Sequence, residues 1–414
     1  MKQTIMALAD RIERDVIAMR RVFHAMPEAS FHEKKTQAQV GAYLRKAGLD
    51  FKSGIAGTGV VGFVKGAGSP AARRPSGRTS TGGRGGGAPH MRTVALRADM
   101  DALNLAERTG LRFVSKHRGY MHACGHDAHM AMVLGAGMVL KALGRDLPGN
   151  VRLIFQPAEE TPPGGALGMI KAGVLKSPEV DAIIGTHVEP ALPAGSVGLI
   201  SGPISAAADD FNVKITGKAG HGSAPHRGVD AIVVAAQFIT ALQAVVSRRV
   251  SAMDNVVVSV GKIAGGQRHN IIADTVEMEG TIRTRTAVHR RDVPKMVKQV
   301  LDGVCAAFGA TAEFEYVKGY PAVVCDQALT ERVRLWCSDI LGRRRVLRAP
   351  GFEMGGEDFA YYAKEVPGTV IMVGVANTKK GKIHKLHHPQ FDIDEEALKV
   401  GVSAIAYSAY RRLC

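Results

Sequence analysis

The sequence predicts an α/β fold: a mixed, largely parallel sheet domain with a ferredoxin-like α+β domain inserted into it. Three observations carry this. Short apolar strands alternate with helices towards both ends of the chain. A β-α-β-β-α-β order interrupts them in the middle. The 414 residues are too many for one ordinary domain and comfortable for two.

Residues 4–24 and 33–48 read as amphipathic helices, the second closed by Gly48, which tolerates the conformation a helix end needs. Residues 59–64 and 94–97 read as strands. Between them, residues 66–90 carry no aliphatic side chain larger than Ala, so they cannot bury a face. The expectation there is a disordered loop joining two strands. A helix over 128–143, a strand over 151–155, a helix over 164–175 and a strand over 181–185 follow. Apolar strands in this alternation form a largely parallel sheet covered on both faces.

The pattern then changes. Strand 208–217, helix 229–247, strand 255–263, strand 274–284, helix 291–308 and strand 311–318 give the split β-α-β order. Helix 327–341, strand 369–373 and helix 394–412 resume the first pattern. The expected division is a main domain over 1–205 and 320–414, with the inserted domain over 206–319.

Composition narrows the function classes. Hydrophobic residues at 46% and charged residues at 22% allow a core without disulfide staples. A formal charge of +16 raises nucleic acid and anionic lipid as partners. No Lys/Arg block appears and aromatics are only 5%, so neither is expected; a basic surface facing an anionic substrate accounts for the charge. Asp10, Arg11, Glu13 and Arg14 interrupt the N-terminal apolar stretch, against a signal or transit peptide. No uncharged apolar run reaches the ~20 residues of a membrane span. Five cysteines, an odd number without CxxC spacing, argue against a disulfide framework and for the cytoplasm.

Five short segments carry the chemistry, each at a strand end or helix start, where α/β sheets hold ligands. Met121-His122-Ala123-Cys124-Gly125-His126-Asp127-Ala128-His129 offers thiolate and imidazole ligands two residues apart, or a polar helix cap. Glu159-Glu160 closes a buried strand; adjacent carboxylates point different ways, so one can bind metal while the other acts as base, unless both are solvated. His187 follows an apolar strand, as a ligand or a packed histidine. Gly355-Gly356-Glu357-Asp358 is a tight turn with two acids or a helix N-cap. His387-His388-Pro389 lies in a lysine-rich loop, as ligands or as a surface pair.

Four of these segments, those around Cys124, Glu159-Glu160, Glu357-Asp358 and His387, together with Leu96-Arg97-Ala98-Asp99-Met100-Asp101-Ala102-Leu103 resemble the amidohydrolase branch of the di-metal aminoacylase/carboxypeptidase superfamily. That branch includes hippurate hydrolases, N-acetyl-diaminopimelate deacetylases and auxin–amino-acid conjugate hydrolases. The resemblance runs from about Arg21 to Asp394, and five motifs in order are far more specific than any one. It implies two divalent metal ions per subunit (zinc, manganese, cobalt or nickel) on Cys124, His126, Glu160, His187 and His387. It implies Glu159 as general base, with Asp101 orienting the metal site and Asp99 supporting it. The inserted domain matches the family's dimerisation lid, in which His221, within Gly217–His226, reaches the partner subunit's active site. Asn270 and Arg283 match positions that grip the substrate's carboxylate, and His226 joins them as a substrate-binding residue. A homodimer or homotetramer acting on a small N-acyl amino acid is implied.

The sequence departs from the family at Asn104 and Ala273, where Pro is usual, and at Thr161-Pro162-Pro163, where Gly follows the acid pair. None removes a ligand; the last borders the pocket and bears on substrate preference. The expected reaction is metal-dependent hydrolysis of the amide of an N-acetyl, N-benzoyl or similar amino acid. A carboxypeptidase or dipeptidase on the same scaffold is the alternative. A non-catalytic metal- or nucleic-acid-binding protein would need a lost base or ligand, and every one is present.

Overall fold

The computed structural model describes residues 1–67 and 91–414. The loop expected over 66–90 lies, from residue 68 onward, outside the described residues. The chain divides into two compact units. The first comprises Met1–Gly202, Val324–Gly351 and Tyr361–Cys414; the second comprises Pro203–Val323 and Phe352–Ala360.

An eight-stranded sheet organises the first unit. Its order is Asp50–Ile55, Gly59–Val64, Asn150–Gln156, Thr93–Asp99, Ala182–Pro193, Gly368–Ala376, Val197–Leu199, Val346–Arg348. The central strand Thr93–Asp99 is parallel to both neighbours, and Ala182–Pro193 is parallel to Gly368–Ala376. The first two strands form an antiparallel hairpin that pairs antiparallel to Asn150–Gln156. Every residue of Thr93–Asp99 is buried, as a strand covered on both faces must be. The helix His126–Ala142, rich in Ala, Met and Gly, has no polar stripe and is buried along almost its whole length. It packs against Lys2–His24 and Glu396–Leu413. Parallel central strands bring their C-terminal ends to one edge, where Asp99, Gln156 and the residues after them emerge.

The second unit is a four-stranded antiparallel sheet in the order Val256–Gly265, Thr275–Thr284, Ala207–Thr216, Thr311–Tyr320. Ala207–Thr216 alternates buried and exposed positions, and Phe211, Val213 and Ile215 join the core formed with helices Ala231–Arg249 and Ala287–Phe308. This is the expected ferredoxin-like order. By length and hydropathy alone Ala231–Arg249 is apolar enough to cross a membrane, although sequence reading found no run of that length. Its Val234, Ala235, Phe238, Leu242 and Val245 are spent on the core of this unit.

The helix expected over 164–175 is shorter, Ala166–Lys171, and the strand expected over 181–185 runs on to Pro193. Sequence reading missed the strands Asp50–Ile55, Val197–Leu199 and Val346–Arg348, and the helix Phe359–Glu365.

Candidate active site

A glycine sets the first contact. Gly125 takes φ +86°, and a Cβ there would lie 2.4 Å from Val188 Cγ2. Only a residue without a side chain lets this loop lie flush on the strand Ala182–Pro193. Cys124 Sγ thereby comes within 3.6 Å of His187 Nε2. His187 Nδ1 sits 2.7 Å from the Val188 carbonyl, which can only accept, so Nδ1 carries the proton and Nε2 keeps its lone pair. Burial, reinforced by His129, holds His187 well below the usual histidine range.

His126 opens the next helix with the same device. Its Nδ1 faces the Asp101 carbonyl at 2.9 Å, leaving Nε2 3.8 Å from Glu160 Oε1 and 3.7 Å from Asp99 Oδ2. Burial opposes charge on this ring, but Asp99 and Asp101 outweigh it and hold the imidazolium up to about 10. The same acidic surroundings attract a cation. His387 approaches from the C-terminal loop, its Nε2 3.5 Å from Glu160 Oε1. Its N–H donates to Ala123 O at 2.9 Å, and its φ of +61° is one a residue with a Cβ rarely adopts.

The ligand atoms of Cys124, Glu160 and His387 lie within 4.8 Å of one another, and so do those of His126, Glu159 and Glu160. Glu160 Oε1 is buried and has no hydrogen-bond partner among the described residues. A buried carboxylate oxygen without a hydrogen bond is costly unless something else engages it.

Asp101 is fully buried beneath the acid pair. Its Oδ1 accepts the Glu159 N–H at 3.0 Å, and its Oδ2 accepts the Glu160 N–H at 2.9 Å and the Ser30 hydroxyl at 2.7 Å. Burial works against its charge, but His126 and these donors hold its carboxyl below the usual range. Asp99 supports a different ligand. Its Oδ2 accepts from Arg97, while its Oδ1 accepts from His129 Nδ1 at 2.7 Å. His129 Nε2 then accepts the Val188 N–H at 2.8 Å, steadying the strand at His187. No role for His129 came from sequence; its place one helical turn after His126 was the available signal. His122 of the same motif is buried and pushed down to about 4 by that burial.

A buried arginine lies behind this cluster. Arg20 Nε donates to Asp127 Oδ2 at 2.9 Å, and Arg20 also bonds Asp392 at 2.8 Å and Glu395 at 3.3 Å. His24 Nδ1 shares Asp127 Oδ2 at 2.8 Å. One guanidinium thus joins the helix bearing His126 to the segment that follows His387.

The other expected residues belong to the second unit. His221 pairs with Ile271 across a short antiparallel ladder, and Gly222 N–H donates to Asn270 O at 2.9 Å, so His221 and Asn270 sit on adjoining segments. The Ser223 hydroxyl lies 2.7 Å from His221 Nδ1. His226 is exposed on a short 3-10 turn, Pro225–Arg227. Arg283 is half-buried in Thr275–Thr284, paired in register with Ala208 and Val257.

Comparison with known proteins gives a consistent picture. The family described as peptidase family M20/M25/M40 matches residues 95–411. An N-acetyl-L-cysteine deacetylase of Bacillus subtilis is 38% identical, covering 97% of this chain and 89% of the relative. Thermostable carboxypeptidase 1 of Saccharolobus solfataricus is 37% identical, covering 97% and 96%. Among solved structures, the YXEP protein of Bacillus subtilis, described as a dinuclear metal-binding peptidase of the M20 family, superposes with a TM-score of 0.81 at 34% identity. That match covers 98% of this chain and 99% of the other.

Proposed function

We propose, from the fact that the chain belongs to peptidase family M20/M25/M40, that it is a metal-dependent hydrolase of N-acyl amino acids, releasing a carboxylic acid and a free amino acid. The observation that carries this reading is the buried Glu160 Oε1, without a hydrogen bond, between His126 and His387, with Cys124 and Glu159 alongside. Those donors fit two divalent cations: one thiolate, carboxylate oxygens, and the Nε2 atoms of imidazoles whose Nδ1 atoms face the Asp101 and Val188 carbonyls; a bound cation would displace the Nε2 proton of His126. Cys124, His126, Glu160, His187 and His387 would hold the ions. When bound, they would supply an acidified water and polarisation of the amide carbonyl. A thiolate ligand favours zinc, manganese, cobalt or nickel over magnesium.

The chain's own residues do the rest. Glu159, its main chain pinned by Asp101, would take the proton of the attacking water and deliver it to the leaving amine. His221, reaching across from the lid into the partner subunit's site, would donate to the oxyanion developing there. Arg283 would grip the carboxylate of the amino-acid half through paired N–H donors, assisted by Asn270 and His226. We take the working form to be a homodimer or homotetramer. None of the five cysteines is in a disulfide and four of them are buried, which suits a reducing cytoplasm.

The carboxypeptidase relative supports a second reading, in which a peptide replaces the acyl amino acid. A panel of N-acetyl and N-benzoyl amino acids beside unblocked dipeptides, with metal analysis of the same preparation, separates the two. Hydrolysis of the acylated set with about two ions per subunit is expected. Cleavage of dipeptides alone would install the second reading, and a metal-free, inactive protein would remove both.

A further inference from the structure

The segment before the second helix reaches the turn that carries the acid pair. Glu33 is fully buried, and its Oε1 accepts the N–H of Ala158, 125 positions later, at 2.8 Å and that of Phe31 at 3.0 Å. The Thr58 hydroxyl donates to its other oxygen. Beside it, Ser30 donates to Asp101, and Thr161 Oγ1 donates to Ser30 Oγ at 2.9 Å. The consecutive N–H groups of Ala158, Glu159 and Glu160 are therefore all taken by two carboxylates from distant segments, Glu33 and Asp101. Ala158 has φ +53°, a left-handed conformation that a residue with a Cβ does not adopt at no cost. Such a conformation persists only where the surroundings over-determine it. Here the surroundings include Glu33 at the Ala158 N–H and Gly165, whose N–H donates to the Ala158 carbonyl at 3.1 Å.

We infer that Glu33 is a positioning residue for the reaction: by capturing the Ala158 N–H it holds the left-handed turn that aims the Glu159 carboxylate. This rests on the reading of Glu159 as the base. Glu33 touches none of the proposed metal ligands in its recorded hydrogen bonds, so its loss acts on the direction of Glu159 and leaves metal binding intact. Glutamine keeps an oxygen for the two N–H groups and can turn its amide towards the Thr58 hydroxyl, which also accepts. Alanine keeps neither.

The test compares the parent with Glu33→Ala, Glu33→Gln and Glu159→Gln, using N-acetyl-L-cysteine as substrate probe. Amide hydrogen exchange over residues 156–162 and bound metal are read on the same samples. E33A should exchange faster over that segment and keep its metal. Its kcat should fall about 10–100-fold with KM little changed, the usual effect of a displaced catalytic group. E33Q should stay near the parent in all three. Adding Ala158→Gly to E33A should recover part of the loss, because glycine takes this φ without a steric penalty. Should E33A not fold, Glu33→Met fills the same space without accepting and is read in the same way. Parent-like exchange and kcat in the variant lacking the carboxylate would overturn the inference. So would an equal loss in E33Q, which would mark a need for the charge itself. A fully active E159Q would instead remove the base, and with it the reading on which the inference rests.

Discussion

Asp101 Oδ1 accepts the main-chain N–H of Glu159 at 3.0 Å, so an acid buried under the site orients it through the backbone. The same residue takes the Glu160 N–H through Oδ2 and the His126 ring through its carbonyl. Asp101→Asn tests this. Asparagine has one accepting oxygen, so one of the two N–H groups would meet an NH2 group and lose its bond. Loss of such an orienting partner typically costs about 10–100-fold in metal affinity or activity. Metal titration and kcat on the folded variant give the answer; parent-like values for both would mean that the backbone holds this geometry unaided.

Two adjacent acids are assigned different work, and their substitutions must fail differently. Glu159→Gln keeps size and hydrogen bonding but cannot accept a proton at neutral pH. It should retain metal and lose activity by roughly 10²–10⁴-fold, the contribution of a general base. Glu160→Gln should instead lose metal, with partial rescue by excess metal. Bound metal and kcat measured on the same preparations decide between them. Swapped phenotypes would reverse the two roles.

Much of this was legible from local signals. The helix Gln327–Leu341 begins and ends as expected because Asp326 caps it, accepting the Leu329 N–H at 2.7 Å, and Gly342 follows it. The strand Gly59–Val64 stands out through its apolar run between glycines. By contrast Asp50–Ile55, with sequence DFKSGI, is a mostly exposed edge strand without apolar alternation, and so gave no signal. The Glu357-Asp358 turn leads into a helix of only seven residues, too short for its period to show. Ligand types were readable as a motif; what holds them was not. Arg20 meets Asp392 across 372 positions and Glu33 meets Ala158 across 125, and no local pattern encodes such pairs.

The turn before Glu357 makes a prediction about substrate grip. A Cβ on Gly356 would lie 3.0 Å from Ala208 Cβ, 3.2 Å from Tyr320 Cδ2 and 3.9 Å from an Arg283 guanidinium nitrogen. These atoms all belong to the second unit, so the missing side chain leaves room for Arg283 where the arginine is proposed to meet a carboxylate. Gly356→Ala should crowd Ala208 and Tyr320 and raise KM for N-acyl amino acids, with kcat less affected. Arg283→Met should raise KM further, by about 10–100-fold, the range for losing hydrogen bonds to a charged group. Steady-state kinetics on both variants provide the check. An unchanged KM in R283M would take the arginine out of substrate binding.

Arg20 sets the last expectation, which concerns acid stability. Burial opposes ionisation of Asp127 and Asp392, but the Arg20 charge, with His24 at Asp127 and Lys382 at Asp392, holds both carboxyls below the usual range. Because their folded pKa values are depressed, their stabilisation is complete above the ordinary carboxylate pKa of about 4 and is lost as pH falls through the folded values. Arg20→Met strands two buried carboxylates without a guanidinium. Breaking a buried pair from one side typically costs about 3–5 kcal/mol. The variant should therefore melt well below the parent at neutral pH. As pH falls below about 4, the parent gives up the stabilisation that the variant never had, and the gap should narrow. Melting curves from about pH 3 to 7 measure it. Parallel curves would show that the Arg20 cluster packs the core without storing electrostatic stability, and would detach it from the segments that bear His126 and His387.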